Sequence, residues 1–128
     1  MPFTGPLPNV YTNAGQSTGP AANAVIATVT VSQGVYAVVF GGYLSGSGFL
    51  AADADNMAIQ SDPVTLNSFV TAQVLLIPPA SSVPVVLFRL PVYALGTIRI
   101  IAVANATATV VYHASIATNY PGPSGSLL

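Results

Sequence analysis

The chain has 128 residues, enough for one domain with its own core, and no cysteine, so it has neither a disulfide framework nor thiol chemistry. Apolar residues make up 52% and charged residues 4%, against roughly 25% charged in an average soluble domain, so most of the surface must be neutral. Two Arg and no Lys cannot neutralise a row of phosphates, which excludes electrostatic binding to nucleic acid or to an anionic membrane surface.

Residues 1–23, "MPFTGPLPNVYTNAGQSTGPAAN", are rich in Pro, Gly, Asn and Thr, and Pro2, Pro6, Pro8 and Pro20 forbid a regular helix. This segment is expected to be an extended N-terminal arm. With no basic residue and no continuous apolar core, it is not expected to be a signal peptide. From residue 24 the hydrophobic period is two. "AVIATVTVS" places Val25, Ala27, Val29 and Val31 on one strand face and Thr28, Thr30 and Ser32 on the other. Gln33-Gly34 reads as a two-residue turn into "VYAVVFGGYL", and "SGSG" closes that hairpin. Gly41-Gly42 marks a bulge or a close backbone approach.

The acidic stretch "AADADNMAIQ" follows, with Asp62 two residues beyond it, so three carboxylates fall within ten residues of one another. Asp53, Asp55 and Asp62 are the candidate metal ligands, since alternating oxygen donors begin a calcium loop. Counted from Asp53, however, the sixth and twelfth positions are Ala58 and Val64, where an EF-hand needs Gly and Glu. The alternative is an Asx-rich loop whose short side chains accept backbone N–H groups, and Asp62-Pro63 is a turn initiator. Further strands are expected in "MAIQ", "SFVTAQVLLI", "VPVVLFRL", "TIRIIAV" and "ATATVVYHASIAT". Breaks fall at Ser61-Asp62-Pro63, Pro78-Pro79, Pro91 to Gly96 and Ala104-Asn105-Ala106.

Seven or eight short strands without an amphipathic helix predict an all-β antiparallel sandwich of jelly-roll-like or immunoglobulin-like type over residues 24–118, followed by a tail over 119–128. A parallel sheet would need crossover helices. The apolar window 24–44 is broken by Ser32-Gln33-Gly34 and has a strand period, so no membrane-spanning helix is expected. So little charge then calls for burial of much of the surface against other protein copies.

No catalytic residue and no cofactor are expected. His113 is the single histidine and shares a strand face with Val111 and Ser115; G-x-S-x-G is absent, and the "SGSG" serines read as turn residues. Arg89 and Arg99 sit in apolar strands and are expected to pair with Asp53, Asp55 or Asp62, within the chain or across a subunit boundary, the alternative being that they snorkel from a solvent face. Asn105-Ala106-Thr107 is a formal glycosylation sequon in the turn before the last strand.

The strand order "ATVTVSQGVYAVVFGGYLSGSG", then "AADADNMAIQ", then "GTIRIIAVANATATVVYHASIAT" resembles small jelly-roll-like virion structural proteins of tailed bacteriophages, of the decoration, cement or head-fibre type. The likeness covers residues 24–118. It implies a non-enzymatic virion protein present in many copies, a trimer or pentamer bound to a major capsid or other virion protein. The low charge departs from that pattern and suits a layer buried among subunits. A second expectation, from another class, is a secreted or surface carbohydrate-binding sandwich with calcium in the acidic loop.

Overall fold

The computed structural model describes residues 10–77 and 86–119. They form eight strands: β1 (Val10–Thr18), β2 (Val25–Thr30), β3 (Gly34–Gly46), β4 (Met57–Ser61), β5 (Val70–Leu75), β6 (Val86–Ala94), β7 (Thr97–Ala102) and β8 (Val110–Asn119). One 3₁₀ turn, Ala51–Asp55, precedes β4. The strands make two four-stranded antiparallel sheets, ordered β1-β8-β3-β6 and β2-β7-β4-β5. Within these orders the pairs β1–β8, β2–β7, β3–β6 and β4–β5 are nested, as though one long hairpin had been wound into a sandwich. That winding is the jelly roll.

Alternation along each strand supplies the core. On β3, Tyr36, Val38, Phe40 and Leu44 point inward and are fully buried, as are Met57 and Ile59 on β4, Ile98 and Ile100 on β7, and Tyr112 on β8. Removing each such large side chain from water contributes about 1.5–3 kcal/mol. Phe40 stacks on Phe88 with ring centroids 5.5 Å apart, tying the centre of the first sheet to its edge. Gly42 takes an inward position where no side chain fits, because a Cβ would overlap the His113 carbonyl oxygen on β8. The pair Gly41-Gly42 is thus a close backbone approach, with the β3–β8 register unbroken.

Several sequence expectations change. Residues 10–18 are not arm but the edge strand β1, paired along its whole length with β8; its Asn, Gly, Gln and Ser content hid it, because an edge strand needs only one packed face. Residues 1–9 and 120–128 lie outside the described residues. The Gln33-Gly34 turn does not close a hairpin, since β2 and β3 belong to different sheets and the segment crosses the sandwich. The same holds for β7 and β8, so the turn holding Asn105 is also a crossover. Among the described strands, β4–β5 is the one consecutive pair that shares a sheet. A register shift between Val25 and Ala27 turns Val25 outward, leaving it 45% exposed, and buries Ile26. Pro91 lies inside β6 rather than ending it, which an edge strand allows because one side of its backbone has no ladder partner.

Candidate functional site

Asp53 lies in the 3₁₀ turn, almost fully buried. Its Oδ1 accepts the Tyr112 hydroxyl at 2.6 Å and the Thr107 N–H at 3.2 Å; its Oδ2 accepts the Thr107 hydroxyl at 2.7 Å and the Leu50 N–H at 3.0 Å. Asn56 extends the network. Its Nδ2 donates to the Tyr112 oxygen at 2.9 Å and to the Ala104 carbonyl at 2.8 Å, and its Oδ1 accepts the Ala104 N–H at 2.7 Å. Burial raises the Asp53 pKa, but the Tyr112, Leu50 and Thr107 donors outweigh it and hold the carboxyl below its ordinary value. Burial and the same carboxylate push the Tyr112 phenol up. The network fastens the loop before β4 to the β7–β8 crossover and engages the sequon's Thr107, while Asn105 Oδ1 separately accepts the Ala22 N–H at 2.9 Å.

Asp62 is a second buried carboxylate with a different set of donors. Its Oδ1 accepts the backbone N–H groups of Leu95, Gly96 and Thr97 at 3.0–3.1 Å, and its Oδ2 accepts that of Asn67 at 3.1 Å. Asn67 reaches this position with a left-handed φ of 64°. Burial raises the pKa of Asp62, and the surrounding N–H groups lower it further than burial raises it. These donors hold the β6–β7 turn, and here, as with the separate donors at Asp53, they point at the lone pairs that a cation would need. Asp55, the third candidate ligand, is exposed. Among the described residues no three His, Cys, Asp or Glu side chains come together as a metal-binding group.

The two arginines are placed differently. Arg99, on the outer face of the second sheet, donates from Nε to Gln60 Oε1 at 3.1 Å and lies over the Phe69 ring, 3.6 Å from its centroid. Gln60 in turn donates to the Thr71 hydroxyl at 3.2 Å, so the polar row across this face is joined within the chain. Arg89, on the outer face of the first sheet, is exposed, and among the described residues it has no ion-pair partner. Asp53 and Arg99 therefore find neutral partners inside the chain.

The outer face of the first sheet is open to solvent at Thr12, Ala14, Gln16, Arg89 and Ala117. Across it run the rows Gln16–His113–Tyr43, Ala14–Ser115–Gly41 and Thr12–Ala117–Val39–Arg89. Two adjacent shallow depressions of about 420 and 370 Å³ lie over these rows and share Ala14 and Ser115. The Tyr43 and His113 rings stack with centroids 4.0 Å apart and planes 5° from parallel. The Ser45 hydroxyl lies 2.7 Å from His113 Nε2. Burial lowers the His113 pKa below its ordinary value and so favours the neutral ring. Among the described residues no carboxylate stands behind the ring to orient it, so Ser45 and His113 form a pair rather than a triad.

No family model, no curated protein and no solved structure matches this chain. The charged residues are plain in the sequence, whereas their partners Tyr112, Thr107 and the amides of 95–97 carry no local signal there. Asn56 beside the acids was the one signal that a hydrogen-bonded loop was present.

Proposed function

We propose that this protein is a non-enzymatic structural component of a multi-copy assembly, a virion decoration, cement or fibre protein that contacts copies of itself and a neighbouring capsid subunit. The observation that carries this reading is the outer face of the β1-β8-β3-β6 sheet. It is a floor of small uncharged side chains, exposed at Thr12, Ala14 and Ala117 and half-buried at Ser115, with a single cation, Arg89, at its border. A floor of that kind suits close approach of a flat partner, and its apolar area contributes roughly 25 cal/mol per Å² once covered.

A chain with 4% charged residues gains little from long-range steering, so such association depends weakly on ionic strength. Light scattering of the purified chain at micromolar concentration, in low and in high salt, tests this. The expected result is the same multiple of 12.9 kDa in both. A single-chain mass in both would contradict the reading.

A further inference from the structure

Two of the five ionised side chains carry the inference. Asp53, Asp62 and Arg99 are occupied within the chain by Tyr112 and Thr107, by backbone amides, and by Gln60 and Phe69. That leaves Arg89 and Asp55, one of each sign, both exposed and both without a partner among the described residues. Each is set in an apolar surround. Arg89 stands opposite Val39 on the small-residue floor, next to exposed Pro91. Asp55 lies on the rim of a shallow depression of about 280 Å³ formed with Ala51, Ala54, Leu76 and Ile77. Leu76 is 65% exposed, and nearby Leu50 is 60% exposed. With Ala51, Ala54 and Ile77 they make the surround of Asp55 a contiguous apolar patch, the kind of surface that a protein partner covers.

The two charges lie on different surfaces, Arg89 on the outer face of the first sheet and Asp55 at the end of the turn leading into the second. We infer that the small-residue face around Arg89 of one copy docks on the Asp55 depression of the next copy, with Arg89 and Asp55 paired across the contact. Because the two patches differ, the contact is heterologous. Repeated with a closing rotation it produces a ring, and without closure a filament. The charges fix register and orientation, while Leu50, Leu76 and the sheet floor supply the buried area. This inference rests on the self-association proposed above and specifies which surfaces meet.

A charge-exchange experiment tests it. Arg89→Asp and Asp55→Arg are made singly and together, and the dissociation constant of the assembly is measured by sedimentation. Both positions are exposed, so the fold tolerates the changes, and an unshifted melting temperature checks that. Each single variant is expected to weaken assembly by about tenfold or more, because it sets like charges against each other, and the double variant to recover to within about threefold of the wild type. Singles that assemble like the wild type, or a double variant no better than the weaker single, would overturn the pairing while leaving self-association intact. A wild-type chain that stays monomeric would overturn both.

Discussion

The Tyr112 hydroxyl donates to Asp53 Oδ1 at 2.6 Å across 59 residues of sequence, joining β8 to the loop that precedes β4. Tyr112→Phe removes one charge-assisted donor and leaves Asn56 Nδ2 with the Ala104 carbonyl alone. The expected loss is about 1.5–3 kcal/mol. Asp53→Ala leaves the Tyr112 and Thr107 hydroxyls without their acceptor and is expected to cost about 3 kcal/mol or more. The double variant should cost less than the sum, since both changes remove the same bond. Urea midpoints measure all three, and strict additivity would contradict a shared network.

Asp62 makes a separate prediction, local to one turn. Asp62→Ala strips the acceptor from the amides of Leu95, Gly96, Thr97 and Asn67. Amide exchange at Gly96 and Thr97 should accelerate well beyond the change at core amides such as Ile59, and global stability should fall by about 3 kcal/mol. Leu95 also donates to the Asp62 carbonyl, so its amide is expected to respond least of the three. Uniform acceleration across the chain would contradict a turn-specific clamp.

Stability should fall with acid in two separate windows. Burial holds the folded His113 pKa below its ordinary 6.5, so its contribution is complete above pH 6.5 and is lost as the pH falls through the folded value. Asp53 and Asp62 are likewise depressed relative to 3.8, so their contributions persist above pH 3.8 and disappear below it. Melting temperature against pH should show both declines in the wild type. His113→Gln should remove the upper one alone. An upper decline unchanged in that variant would assign it to another group.

At Gly42 the expectation is steric. Gly42→Ala places a Cβ against the His113 carbonyl oxygen, backbone that cannot rotate aside. The β3–β8 ladder must separate locally, at a cost of about 1–3 kcal/mol by chemical denaturation. A neutral substitution would mean that the two strands sit farther apart.

The strands themselves were legible in the sequence, because period two survives wherever one face is buried. Tyr36, Val38 and Phe40 alternate cleanly with exposed or half-buried neighbours. Pairing was not legible. A short Gly-containing turn such as Gln33-Gly34 reads the same whether it closes a hairpin or carries the chain to the opposite sheet, and only the global winding decides. β1 was hidden because Asn13, Gly15 and Gln16 lack β propensity; at Gly15 a Cβ would overlap the Ile26 carbonyl, so proximity to β2 fixed the residue. The acids were visible as a cluster, but their partners come from Thr107, Tyr112 and the 95–97 turn, which no local spacing reveals.

The outer face of the β1-β8-β3-β6 sheet is the surface that we propose another copy of the chain covers. Ala117 lies in the middle of that face, exposed, between Thr12 and Val39. Sedimentation of the wild type and of Ala117→Lys at the same micromolar concentration tests the claim directly. The wild type should sediment as a multiple of 12.9 kDa and the variant as single folded chains. A variant that assembles to the wild-type mass, or a wild type that is itself a single chain, would contradict it.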